Sequence, residues 1–149
     1  MRRAEHADGD LSDIRLRPAR RADSALRLDR RATAAGWDLD TVRGPEAIGQ
    51  AAWLALATPR GSLAHLGHAR FGSRLHLLIG EPLDARTLSR AAAYVREALR
   101  DDPRFRLLGV ALARHPADPG ALEVQIDIEP GGAFTFPLGA LIGAAEGGP

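Results

Sequence analysis

Residues 50–82 read QAAWLALATPRGSLAHLGHARFGSRLHLLIGEP. An apolar run opens the stretch and breaks at Thr58-Pro59-Arg60-Gly61. A glycine-punctuated loop follows and ends in Phe71-Gly72-Ser73-Arg74-Leu75, and a second apolar run, Leu77-Leu78-Ile79, closes on Gly80-Glu81-Pro82. Pro59 disfavours helical backbone at Thr58, and Gly61 lets the turn complete. The stretch predicts two packed segments held at a fixed angle by a loop with demanding backbone geometry. It reads as an organising core, not as an active site.

Upstream, Pro45 suits the first position of a helix and Glu46 the positive end of its dipole. Ile48, Ala51, Ala52 and Leu56 recur at helical spacing and predict a helix from 45 to about 57. Trp53 and Leu54 widen its apolar stripe. Gln50 therefore falls on or beside a buried face, where its amide needs partners, because an unpaired buried polar group costs about 1–3 kcal/mol. Downstream, Asp84 or Thr87 caps a second helix that runs to about residue 100, with Leu88, Ala91, Ala92, Val95 and Leu99 on one stripe. Asp101-Asp102-Pro103 ends it.

Beyond that point the period changes. Residues 106–114 read as a strand and 115–120 as a turn. In 121–129, Leu122, Val124, Ile126 and Ile128 face one way while Glu123, Gln125, Asp127 and Glu129 face the other, the clearest strand in the chain. Gly131-Gly132 breaks it, and 133–137 returns as one more short strand. The expected fold is α+β: a single domain with an antiparallel, mostly C-terminal sheet and two main helices packed on one face.

The N-terminal third is less regular. Asp13-Ile14-Arg15-Leu16 and Trp37-Asp38-Leu39-Asp40-Thr41-Val42 alternate as short strands would, with a turn at Arg43-Gly44. Residues 11–31 carry seven arginines against Asp13, Asp23 and Asp29, a local charge of 7 − 3 = +4. The plain reading of this charge is a solvated arm, and the sharper one a docking arm that orders on a partner. The expected division is a disordered segment over 1–12, the domain over 13–142 and a flexible tail over 143–149.

The 149 residues suffice for one domain with a buried core, although only 5% are aromatic and much of the apolar content is alanine. Without cysteine there is neither a disulfide framework nor a thiolate metal site. The arginines at positions 2 and 3 precede no apolar run, and no stretch approaches the ~20 apolar residues of a membrane span, so a cytoplasmic protein without membrane insertion is expected. Its 20 basic residues, all arginine, leave a net charge of +1, which argues against a dedicated nucleic-acid binder.

Several of these residues, taken in order, resemble a known family. Val42-x-Gly44, Glu46, Gln50, Thr58-Pro59-Arg60-Gly61, Leu66-Gly67-His68, Phe71-Gly72-Ser73-Arg74-Leu75, Gly80-Glu81-Pro82 and Pro103-Arg104 are similar to the GPW-type baseplate wedge family. Its members include the small wedge and sheath-initiator subunit of contractile phage tails and the TssE-like subunit of type VI secretion. The likeness runs over about residues 13–142, and LGHARFGSRLHLLIGEP looks most like the branch from contractile injection systems. It implies a structural baseplate protein that docks on the core bundle of the larger wedge subunits and nucleates the sheath around the inner tube and hub. The family's Glu-Pro-Arg docking motif falls on Asp102-Pro103-Arg104, with aspartate one methylene shorter, and its loop aromatic, commonly tyrosine, is Phe71. By the same resemblance Gln50, Pro59, Gly61, His68, Phe71, Gly72, Arg74, Glu81 and Pro82 belong to the structural loop. A sheet edge that accepts sheath strands would suit this role. The strand over 121–129, with Val124 and Ile126, is the candidate for it.

Some phage relatives carry a lysozyme label, which makes a peptidoglycan-cleaving enzyme the alternative. Glycosidase chemistry needs two carboxylates about 5–10 Å apart. Glu81 and Asp84 are the nearest local candidates, with Glu46 and Asp102 more remote; Glu81 precedes a proline and Asp84 reads as a helix cap, so no catalytic residue is expected. His65, His68 and His76 have no cysteine or acid among them and read as loop hydrogen bonding, with His68 fixing the loop through backbone carbonyls. Gly61, Gly67, Gly72 and Gly80 lack the Gly-Lys-Ser/Thr of a phosphate loop. Neither metal nor cofactor is expected.

Overall fold

The computed structural model describes residues 11–18 and 26–139. The elements follow in the order β1 (Ser12–Ile14), β2 (Leu16–Pro18), β3 (Leu26–Leu28), β4 (Arg30–Thr33), β5 (Gly36–Leu39), β6 (Thr41–Arg43), α1 (Gly44–Ala57), α2 (Ala85–Leu99), β7 (Arg106–His115), β8 (Asp118–Glu129) and β9 (Gly132–Pro137). The fold is α+β, with an antiparallel sheet of order β7-β8-β9 at its C-terminal end and both helices on one face.

The strict alternation of β8 sets that face. Leu122, Val124, Ile126 and Ile128 are 5%, 0%, 2% and 1% exposed and pack with Leu56 of α1 and Val95 and Leu99 of α2. Gln125, Asp127 and Glu129 point to solvent. Alternation reports a buried face, however, and says nothing about lateral position. β8 is the middle strand, paired with β7 from Arg106↔Glu129 to His115↔Asp118 and with β9 from Glu123↔Pro137 to Ile128↔Gly132. The strand expected at the sheet edge therefore has no free edge. Val124 and Ile126, expected to bind a partner, are core residues. The turn before it is also shorter than expected, with Pro116 and Ala117 alone between the last rungs.

Each helix ends where its sequence says it must. α1 carries Pro45 and Glu46 in its first turn and stops at Thr58, whose ψ of 126° is the extended backbone that Pro59 favours. The Thr58 hydroxyl donates to Leu54 O at 2.7 Å. In α2 the Asp84 carboxylate accepts the Thr87 N–H at 2.8 Å, a side-chain N-cap. Ala91, Val95 and Leu99 are buried, flanked by the half-buried Leu88 and Ala92.

The second apolar run packs only in part. Residues 75–78 form a 3-10 turn that buries Leu75 and Leu78, while Leu77 and Ile79 stay 52% and 48% exposed. With about three residues per turn, positions 75 and 78 share a face and 77 cannot join them.

The described residues of the N-terminal third form three short antiparallel ribbons, β1 with β6, β2 with β3, and β4 with β5. They meet in a ring of backbone hydrogen bonds. Arg15 N–H donates to Asp40 O at 2.8 Å, Asp40 N–H to Asp29 O at 2.9 Å, and Asp29 N–H to Arg15 O at 3.1 Å. Leu11 O accepts from Gly44 N–H and Ser12 pairs with Arg43, so residues 11 and 12 are tied to the start of α1. The rest of the expected disordered segment, 1–10, and the tail, 143–149, lie outside the described residues. Among the described residues no helix is long and apolar enough to cross a membrane.

Candidate functional site

The loop after α1 is closed at its base by a buried serine. Ser73 N–H donates to Thr58 O and Arg60 N–H to Ser73 O, both at 2.8 Å, which lays Pro59 parallel to Ser73. The Ser73 hydroxyl, in a residue 2% exposed, donates to Leu56 O at 2.5 Å and accepts from Leu75 N–H at 3.3 Å. One hydroxyl thus satisfies a terminal carbonyl of α1 and orients the following turn. Beside it Gly72 has φ +100°, and a Cβ there would lie 2.4 Å from Thr58 O. Gly61 needs only its φ of +89°, since the space around it is open. Glu97 of α2 faces both rims of the loop, 3.8 Å from Arg60 Nε and 3.5 Å from Arg74 Nη1.

Other loop residues act differently from their sequence reading. His68 is exposed and works through its backbone, its N–H donating to Leu63 O and its carbonyl accepting from Phe71 N–H, both at 3.1 Å. Gln50 is not at the loop at all. Its Oε1 accepts from Leu16 N–H at 2.9 Å, and its Nε2 donates to Ile14 O at 2.8 Å and Asp13 Oδ2 at 3.2 Å. The amide is a side-chain rung fastening β1 and β2 to α1. Glu81 lies 3.5 Å from Arg90 Nη1, and the Pro82 carbonyl accepts from Asp84 N–H at 2.9 Å.

After α2 the chain turns through Asp102-Pro103-Arg104. Arg104 folds back on Asp102, with Nε 2.9 Å from Oδ1, Nη2 2.6 Å from Oδ2, and its backbone N–H also donating to Oδ1 at 2.9 Å. The Asp102 side chain is 8% exposed and that of Arg104 37%. Burial pushes the Asp102 carboxyl up, but the Arg104 guanidinium and N–H together pull it down further, below the ordinary carboxylate range. Arg104 offers its remaining edge to two clefts. One of about 460 Å³ is lined by Arg70, Phe71, Glu97, Pro103 and Arg104 itself. The other, about 210 Å³, lies toward Asp13, Ile48 and Ala51.

A third recess is apolar and was not foreseen. Phe134 and Phe136 of β9 stack with ring centroids 6.3 Å apart and planes 2° apart. Together with Leu16, Val42, Gly49 and Trp53 they form a groove of about 330 Å³. Gly49 was the available signal, a glycine inside a helix where a neighbour approaches closely. At the rim Arg15 donates from both terminal nitrogens to the Glu46 carboxylate, and its Nε lies 2.6 Å from Asp40 Oδ2.

The two local carboxylates weighed for glycosidase chemistry are both engaged. Glu81 faces Arg90, and the Thr87 N–H holds the Asp84 carboxyl below its usual range, the opposite of a raised-pKa general acid. Among the described residues no group of three or more His, Asp or Glu side chains could hold a metal ion.

No family model matches the chain, and no curated protein matches it. Among solved structures it is similar to a Geobacter sulfurreducens protein described provisionally as a tail lysozyme. The two are 26% identical with a TM-score of 0.49, over 62% of this chain and 85% of that one.

Proposed function

We propose that the protein is a structural, non-catalytic baseplate component of a contractile injection system, one that docks on the larger wedge subunits and nucleates the sheath around the inner tube. One observation carries the reading. The two segments most characteristic of the resemblance, Phe71-Gly72-Ser73-Arg74 and Asp102-Pro103-Arg104, are some thirty residues apart in sequence, yet Phe71, Pro103 and Arg104 line one cleft. Its walls are rigid: Ser73 and Gly72 fix one side, and the Asp102 carboxylate holds Arg104 on the other. A guanidinium already oriented by its own aspartate loses little freedom on accepting a partner carboxylate or carbonyl.

The sheath side would be met by a strand edge. Among the described residues β7 and β9 are the outer strands of the C-terminal sheet. β7 is the longer at ten residues, apolar through its middle and irregular between Leu107 and Gly109. A free edge of that length is what strand addition requires. The assembled protein would reside in the cytoplasm at the baseplate end of the particle.

The test is to tag the protein in its host, sediment the lysate and image the fast fraction by negative stain. Sheathed, tube-containing particles with the tag at one end are expected. Arg104→Ala should still fold, with a melting point lowered because the little-exposed Asp102 carboxylate loses its guanidinium, and should lose co-purification with the wedge subunits well below that melting point. A tag confined to the slow fraction, in a host making normal particles, overturns the reading.

A further inference from the structure

The ribbon of β4 and β5 is an exposed finger. Every residue of both strands is solvent-exposed, and Trp37 is 72% exposed. The register pairs Ala32 with Trp37 and Arg30 with Leu39, so these four share one face, while Arg31 and Asp38 share the other. The Arg30 guanidinium sits 5.6 Å from the centroid of the Trp37 ring. The finger is thus amphipathic, with its apolar face unburied. A two-stranded ribbon on its own is marginally stable in water, so a cover for that face would stabilise it.

The groove between α1 and β9 is the complementary feature. It is apolar and aromatic, walled by Trp53, Phe134 and Phe136, and its volume of about 330 Å³ lies at the low end of ligand pockets. That is room for a large side chain or two and not for a helix. Its rim carries Glu46, whose side chain is 58% exposed. The Glu46 carboxylate is engaged by Arg15 but retains acceptor capacity, since an ionised carboxylate offers about four lone-pair sites.

We infer that the finger of one copy docks in the groove of a second copy, Trp37 entering between Trp53 and the stacked phenylalanines and Arg30 meeting Glu46. Size and charge both match: one indole for one small aromatic groove, and one cation on the finger's apolar face for one carboxylate at the rim. Trp37, at 72% exposure, does not occupy the groove of its own chain. Because the two surfaces differ, the contact is head-to-tail, and each pair keeps one finger and one groove free for the next copies. A single ribbon face covers less than the roughly 1,200 Å² of a stable interface, so the association is weak in dilute solution and gains force where copies are concentrated.

Sedimentation velocity on the full chain tests this, over a series from about 1 µM to about 1 mM. The weight-average mass should rise with concentration. Trp37→Ala, at an exposed position, should raise the dissociation constant at least about tenfold with an unchanged melting curve. Phe136→Ala should do the same from the groove side. If that variant does not fold, Glu46→Gln takes its place, and its effect should be non-additive with that of Arg30→Gln. The decisive experiment is the mixture. The Trp37→Ala chain keeps its groove and the groove variant keeps its finger, so together they should form a one-to-one pair and go no further. A chain monomeric throughout the series, a Trp37→Ala chain that assembles like the parent, or a mixture that does not pair overturns the inference. None of these outcomes bears on the baseplate reading, which rests on Arg104 and the loop.

Discussion

A Cβ placed on Gly49 of α1 would lie 2.4 Å from Cε1 of Phe134 on β9. The missing side chain at one position is the space occupied by the ring at the other. This contact brings the edge of the C-terminal sheet onto the first helix and forms one wall of the apolar groove.

Gly49→Ala should therefore destabilise the protein. Displacing the ring costs roughly 1–3 kcal/mol, and the gain of about 0.5–1 kcal/mol from replacing a helical glycine recovers only part of it. In a Phe134→Ala background the clash is gone and only the gain remains, so the same change should stabilise. Denaturant titration of the four chains gives the cycle, and a destabilising effect in both backgrounds would sink the account.

Gly72→Ala should be the more damaging glycine substitution. Its Cβ would meet the backbone oxygen of Thr58 at 2.4 Å, and its φ of +100° disfavours any side chain. Backbone strain of about 1–3 kcal/mol adds to a clash that no rotamer can relieve. Gly61→Ala meets open space and should lose only the conformational part. Thermal melts should rank Gly72→Ala well below Gly61→Ala, and equal melting points would contradict the assigned roles.

The Asp102 carboxyl gives the fold an acid limit. Its pKa is held below the usual value in the folded protein, net of burial, by Arg104. A depressed carboxyl contributes stability that is present above its unfolded pKa, about 3.9, and lost as pH falls through the lower folded value. Stability measured from pH 6 downward should therefore decline below about pH 4. Asp102→Asn should flatten that decline and lower the plateau above it. An unchanged acid limb in the variant would mean that Asp102 does not report on folding.

Val124→Pro and Leu108→Pro separate the middle of the sheet from its edge. Val124 is fully buried in β8, so proline removes a ladder hydrogen bond as well as a core side chain. The loss is about 1.5–3 kcal/mol for the side chain and a further 1–3 kcal/mol for the unpaired partner. Leu108 is 53% exposed at an irregularity of the outer strand, where proline is tolerated. Leu108→Pro should fold and, on the proposed baseplate reading, impair sheath nucleation, whereas Val124→Pro should fail to fold. A folded Val124→Pro chain would refute the assignment of β8 as the central strand.

Much of this protein was legible in its residues because the signals are local. The stripe of α2, its Asp84 cap, the stop of α1 before Pro59 and the alternation of β8 each follow from backbone sterics or from the period of one element. Those signals suffice for an α+β fold with two helices on one face of a C-terminal sheet. What they do not contain is lateral position. Val124 and Ile126 read as a good strand whether that strand lies at the edge or in the middle, and only the partners on both sides of β8 decide it. The same holds for Gln50, whose need for partners was evident but whose partners are Ile14 and Leu16, more than thirty residues away. The closure of the loop by Ser73, the return of Arg104 onto Asp102 and the groove over Gly49 all depend on distant segments meeting. Sequence fixes what each residue requires of its surroundings, and the tertiary fold alone determines which residues supply it.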